Sequence, residues 1–352
     1  MLKALEHIGR RLLLRLLGSR RLTVPSQLEA PRSILVIRID PRVGNVVMLT
    51  AFLDELHRAY PSADLTLLGP SKGRALLENA PYLSTFWGFN KKQLTGQDGW
   101  LSTLQRLRQK RFDLIIDAAN PTSPSTTQSI LALTGNASTR LGFETREGQS
   151  PYDLLAPPLT NEESHENLQR LQLLKALGHS IASSRLPDLS HVVSKRGQRI
   201  TTWLEAAEVQ TFTIVNIGAR LSEKQLSSSD YRSIIRTLED ATKNVIVTFG
   251  PSEESLAQQS ADGTGAILGP STTLVELADL FHRANAVVSC DTGPMHLAVA
   301  VGCPTCGIFV STSPERYGYQ GAGHCRLDAR SGLNTDHLET IKEWLAESLQ
   351  EA

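Results

Sequence analysis

Short apolar runs alternate along the chain with longer segments whose apolar positions recur every three or four residues. The first kind predicts buried strands and the second amphipathic helices. Strands are expected at Ile34–Ile37, Asp64–Leu68, Leu114–Ile116 and near Arg140–Phe143. Helical spacing covers 46–59, 72–79, 99–110, 125–134 and 164–177. This alternation of strand and helix argues for a mostly parallel sheet covered on both faces. The pattern then starts again. Helix 194–206 precedes strand Thr213–Asn216, helix 228–240 leads to Val245–Phe249, and helix 253–259 leads to Ile267-Leu268. Helix Leu274–Phe281, strand Ala286–Ser289, helix Met295–Val301, strand Thr305–Phe309 and an amphipathic helix over 335–349 complete it. Two successive sheets predict an α/β protein of two Rossmann-like domains facing a central cleft. Ligands of such sheets sit beyond the carboxyl ends of the strands. The expected division is an extension and linker over 1–32, a first domain over 33–190 and a second over 191–352.

The length of 352 residues fits two domains with large cores. Lys+Arg and Asp+Glu both number 36, so the formal net charge is zero, which argues against a bulk nucleic-acid binder. Four cysteines in a chain this long are not a disulfide framework, and a reducing, cytoplasmic setting is the default. No apolar run is long enough to cross a bilayer. Residues 1–22 read as a basic amphipathic helix, with Leu5, Ile8, Leu12 and Leu16 on one side and Arg10, Arg11 and Arg15 adding charge. Such a segment suits either an anionic membrane surface or the protein's own body.

Chemistry concentrates after the strand Ala286–Ser289. Gly293 permits a tight turn and close ligand approach, and Pro294 suits the first turn of a helix. The free N–H groups of that turn, with the helix dipole, can hold a phosphate. Thr292 offers a hydroxyl. Asp291 would repel phosphate but can accept hydrogen bonds from sugar hydroxyls. Asp and Thr equally suit a plain helix cap. His296, on the first turn, can meet a phosphate, donate to backbone or simply be buried.

The string Asp291-Thr292-Gly293-Pro294-Met295-His296-Leu297-Ala298 resembles the signature of the lipopolysaccharide heptosyltransferases, glycosyltransferase family 9. Ser313-Pro314-Glu315-Arg316, the segment Leu274–Ala278 and the opening strand, glycine loop, helix and second strand over 34–68 resemble it too. The resemblance implies a GT-B fold that closes on an ADP-heptose donor and a lipid A–core acceptor, with inverting transfer. It places Thr292 and Gly293 against the donor phosphates and Asp291 against the heptose. Lys224 matches a lysine that approaches those phosphates, where a cation stabilises departing ADP. Gly218 lies in the matching loop, with Arg220 as another cation. Glu253 matches a residue near the nucleotide ribose, although an acid beginning a surface helix is the competing reading. ADP-heptose would be a substrate; no resident cofactor or metal is expected. Basic residues near the N-terminus would bring the enzyme to the cytoplasmic face of the inner membrane.

One departure stands out. The family's first loop carries a Gly-Asp pair whose aspartate is regarded as the base that activates the acceptor. Here the pair is Gly44-Asn45, and an asparagine cannot be a carboxylate base. Asp40 is the first alternative, either as base or as a residue that pins its loop, and Asp117 the second. Arg38 and Arg42 suit acceptor phosphate or loop support; Asn120, Thr122 and Ser123 are further acceptor contacts. Asn45 also motivates a different reading, a nucleotide-sugar or glycolipid-binding homologue with little turnover. A Rossmann oxidoreductase is disfavoured, because the loop after strand 34–37 lacks the dinucleotide glycine pattern. Cys303-Pro304-Thr305-Cys306 has the spacing of a redox pair or half a zinc site, with His324 and Cys325 downstream, but its apolar setting favours packing.

Overall fold

The computed structural model describes residues 30–144, 151–159, 164–180, 186–193, 197–219 and 221–350. The basic segment 1–22, most of the linker 23–32, residues 194–196 of an expected helix, and Arg220 lie outside the described residues. Among the described residues, no helix is long and apolar enough to cross a membrane.

Twelve strands are described, in two six-stranded sheets whose pairings are all parallel. The first holds β1 (Ser33–Ile37), β2 (Asp64–Pro70), β3 (Thr85–Phe89), β4 (Arg111–Asp117), β5 (Asn136–Phe143) and β6 (Leu154–Ala156). The second holds β7 (Thr213–Ile217), β8 (Val245–Phe249), β9 (Ile267–Leu268), β10 (Ala286–Cys290), β11 (Thr305–Phe309) and β12 (Cys325–Asp328). Their orders are β3-β2-β1-β4-β5-β6 and β12-β11-β10-β7-β8-β9. Each sheet starts in its middle, runs to one edge, then returns and runs to the other. The chain therefore reverses direction between β1 and β4, and again between β7 and β10. A crevice opens beyond the strand ends at such a reversal.

Central strands are buried on both faces and read as unbroken apolar runs. Every residue of β7, β10 and β11 is buried. The helix Ser228–Glu239 shows how a flanking helix is specified. Tyr231, Ile234, Ile235 and Leu238, at helical spacing, bury one face against the second core, and each full burial contributes about 1.5–3 kcal/mol. A reciprocal cap of Ser227 and Asp230 starts the helix and adds about 1 kcal/mol. The final helix, Thr335–Gln350, packs Ile341, Trp344 and Leu345 into that same core.

The described residues divide into two compact units, and the second contains Arg42–Thr50, Ser164 and His165 besides the described residues from Leu186 onward. Three strands escape the apolar pattern. β3 and β12 lie at sheet edges, and β6 has three residues. The helix expected over 46–59 begins earlier, at Val43, so Gly44 and Asn45 stand inside its first turn rather than before it. The helix expected over 72–79 is a 3-10 turn, Ser71–Gly73, followed by one α turn, Arg74–Leu77.

Candidate functional site

In the second unit, the reversal between β7 and β10 gathers the residues singled out after each strand. Asp291 follows β10 and is buried. Its Oδ2 accepts hydrogen bonds from Lys224 Nζ and from Thr312 Oγ1, both at 2.6 Å. Its Oδ1 lies 3.5 Å from His296 Nε2. Burial pushes the Asp291 carboxyl up, but His296 and then Lys224 outweigh burial and hold it well below the usual carboxylate range. Asp291 is therefore an anion in a shielded place, and Lys224, whose side chain is 25% exposed, is the outward member of the pair. The ring of Tyr317 lies 5.9 Å from Lys224 Nζ.

The helix Gly293–Ala300 begins with Thr292 in the cap position and Pro294 in its first turn. Thr292 does not cap it through its side chain; its hydroxyl lies 3.4 Å from Ser289 Oγ instead. The plain helix cap weighed for this motif is thus not what the Thr292 side chain provides. Unsatisfied amides at a helix start attract anions. Met295 is buried among Val299, Phe309 and Tyr319, so its side chain belongs to the packing.

His296 is buried as well, and a backbone partner for its ring is not what the structure places there. Nδ1 is hydrogen-bonded to the Tyr319 hydroxyl at 2.9 Å. Nε2 is directed at Asp291 Oδ1, so both ring nitrogens have a polar partner. A Cβ placed on Gly44 would stand 2.8 Å from His296 Cδ2, and one on Gly293 would stand 2.9 Å from Val43 Cβ. These two glycines let the helix starts at Val43 and Gly293 approach closely.

Gly218, after β7, has φ +105°, a conformation that glycine adopts without strain. Side chains on Gly218 or Gly250 would collide with Glu253, so the two glycines clear the space that Glu253 occupies. Ser252 donates to Glu253 Oε1 at 2.8 Å. Glu253 holds the cap position of the helix Glu254–Ala261 without capping it through its side chain. Ser313 caps the turn Pro314–Tyr317. Tyr319 joins the site although no motif singled it out, whereas Thr312 lies in the run Ser311-Thr312-Ser313, which the sequence offers either as shaping the donor side or as local turn bonding. β11 runs beside β10, and the residues that follow it arrive next to Asp291; that adjacency was the available signal.

In the first unit, Arg38 and Asp40 follow β1, and Asp117 ends β4. Asp117 is fully enclosed. It accepts from the Ala119 amide at 2.9 Å, from Gln128 Nε2 at 2.6 Å, and from the Tyr152 hydroxyl. Burial nevertheless keeps its carboxyl above the usual range. Arg38 donates to the Ala118 carbonyl at 3.1 Å and stands 3.8 Å from Asp40 Oδ2. Asp40 is the more open acid, with 18% of its side chain exposed. Asn120 accepts from the Thr122 amide and hydroxyl and donates to Glu166 Oε1 at 3.1 Å, which makes it a loop brace.

The cysteines separate. Cys303 donates to the Ala284 carbonyl at 3.5 Å. Cys306 pairs instead with Cys325 on the neighbouring strand β12. The Cys-x-x-Cys spacing therefore does not bring its own two thiols together.

Comparison with known proteins gives the family and the fold. The sequence model for glycosyltransferase family 9 (heptosyltransferase) matches residues 100–331. The lipopolysaccharide core heptosyltransferase OpsX of Haemophilus influenzae is 22% identical over 299 residues, 83% of this chain and 83% of that protein. Lipopolysaccharide heptosyltransferase 3 of Escherichia coli is 23% identical over 285 residues, 76% of this chain and 81% of its own. Among solved structures, a family 9 glycosyl transferase from Veillonella parvula superposes with a TM-score of 0.76 at 17% identity, over 91% of this chain and 98% of that one. The E. coli heptosyltransferase WaaC with ADP gives 0.69 at 18% identity, over 90% and 99%.

Proposed function

Because the chain belongs to glycosyltransferase family 9, the heptosyltransferase family, we propose that it moves heptose from ADP-heptose to a lipopolysaccharide core acceptor, with inversion at the anomeric carbon. The GT-B fold and the two six-stranded sheets are those of such an enzyme. The observation that carries the donor assignment is the cluster of Lys224, Asp291, Thr312 and His296 beside the helix start at Gly293.

The acceptor oxygen attacks the anomeric carbon as ADP leaves, and negative charge grows on the diphosphate. Lys224, held by Asp291 and Thr312, and the amides of Gly293 and Met295 meet that charge. Preorganised donors of this kind typically supply about 3–4 kcal/mol each to the transition state. Asp291 thereby acts first as the anchor of Lys224, with Oδ1 left toward His296 and the sugar. Gly218 and Glu253 line the nucleotide side. Asp40 is the acceptor base in place of Asn45, a choice supported by its exposure and by the saturation of Asp117. Residues 1–22 bring the enzyme to the anionic cytoplasmic face of the inner membrane.

Asn45 supports one other reading, a homologue that binds the nucleotide sugar and turns it over poorly. Incubation with ADP-heptose and defined core acceptors, in wild type, Asn45→Asp and Asp40→Asn, separates the two. Acceptor-dependent ADP release is expected from wild type, with about 100-fold less from Asp40→Asn and ADP affinity little changed. ADP binding without acceptor-dependent release in wild type, cured by Asn45→Asp, would support the weak homologue instead.

A further inference from the structure

Asn216, Thr248 and Ser289 stand at one level on three adjacent strands. The register sets Asn216 of β7 against Thr248 of β8 on one side and Ser289 of β10 on the other. Each is one residue short of its strand's carboxyl end. All three are at most 3% exposed. Polar side chains buried in the middle of an apolar sheet are costly unless they satisfy one another. These do. Thr248 Oγ1 donates to Asn216 Oδ1 at 3.1 Å, and Asn216 Nδ2 donates to Ser289 Oγ at 3.3 Å. Ser289 Oγ lies 3.4 Å from Thr292 Oγ1. The row thus runs from the core to the half-buried residue that opens the helix Gly293–Ala300 without capping it through its side chain.

Proton counting gives the row a direction. A hydroxyl has one proton to give. Thr248 spends its proton on Asn216 Oδ1, so the Asn216 amide nitrogen faces Ser289. Ser289 receives that bond, and its own proton must turn away, to the Cys290 carbonyl at 3.0 Å or to Thr292 Oγ1. When it turns to Thr292, the Thr292 proton is left pointing out of the row, where an anionic oxygen can accept it.

We propose that Asn216 is a positioning residue that acts through Ser289 to present the Thr292 hydroxyl as a hydrogen-bond donor to the diphosphate of the nucleotide sugar. The proposal rests on the donor reading above and adds the residues that orient its phosphate contact. Asp at position 216 would reverse the row. A carboxylate accepts from both neighbours, the Ser289 proton turns back toward it, and the freed Ser289 lone pair competes with the diphosphate for the Thr292 proton.

The test is ADP binding by the full chain, measured by titration calorimetry, with a melting temperature recorded for each variant. Wild type binds ADP; if it does not, the donor reading itself falls. Asn216→Asp weakens ADP about tenfold or more, the loss of one hydrogen bond to a charged group. Ser289→Ala, which removes only the relay oxygen, weakens it about threefold. The double variant Asn216→Asp/Ser289→Ala then binds like Ser289→Ala alone, because the reversal travels through Ser289. A double variant that keeps the whole Asn216→Asp penalty shows a direct electrostatic or structural effect and overturns the relay. So does unchanged affinity in Ser289→Ala, which decides the question even if Asn216→Asp fails to fold.

Discussion

Asp291 and Lys224 show how one ion pair can serve structure and chemistry together. Asp291 is buried, so removing its cation leaves a shielded charge with less compensation, whereas Lys224 is partly open to solvent. Lys224→Met is expected to lower stability by roughly 1–3 kcal/mol, less than the ~3–5 kcal/mol of a fully buried pair, and to lower kcat/KM by about 100-fold. A denaturation midpoint and a rate of ADP release check the two effects separately. His324 supplies a pH signature. Burial pushes its imidazole down to about 4 from an ordinary 6.5. Between those values the unfolded chain takes up a proton that the folded one refuses. Stability is therefore lost as pH falls from about 6.5 to about 4, by at most roughly 3 kcal/mol, with no further loss from this group below that window. His324→Gln should flatten the stability curve there. The depressed carboxyl of Asp291 acts lower: its contribution is present above 3.8 and is lost as pH falls below it. At this scale, the run from Asp291 to His296 and the distant Lys224 were legible in the sequence. Tyr319 was not, because its place against His296 depends on which strand neighbours which.

The helix Gly293–Ala300 is the element on which the proposed donor site depends. Its start is free of a side-chain cap and lies against the first turn of the helix Val43–Ala59 within the second unit. Gly293→Ala would drive a methyl toward Val43 Cβ, 2.9 Å away. The expected result is a loss of about 1–3 kcal/mol, seen as a lower melting temperature, together with weaker ADP binding. An equally stable variant would show that the close approach is not required. Most elements could be read from apolar spacing, since β7, β10 and β11 are buried on both faces. β3, β6 and β12 could not. The alternating burial of Thr85–Phe86–Trp87 and the half-exposed Cys325-Arg326 do not resemble a central strand, and β6 is too short to show a period. The early start of the helix at Val43 was missed because Gly44 and Asn45 are poor helix formers, and packing around Gly44 outweighs that preference.

For the whole molecule, the two sheets have the same winding, and each has a chain reversal where its chemistry-bearing residues gather. The second unit has a cation, a buried anion and a helix start suited to a nucleotide diphosphate. The first has Asp40 and the enclosed Asp117 at the corresponding strand ends. This division of labour agrees with membership of glycosyltransferase family 9, and the proposal rests the acceptor chemistry on Asp40 in place of Asn45. The most direct test is mass spectrometry of a defined lipopolysaccharide core acceptor after incubation with ADP-heptose and the wild-type chain. The account predicts an acceptor heavier by one heptosyl unit, with ADP released in equal amount. An unmodified acceptor, beside intact ADP-heptose and a protein that still binds ADP, would contradict it.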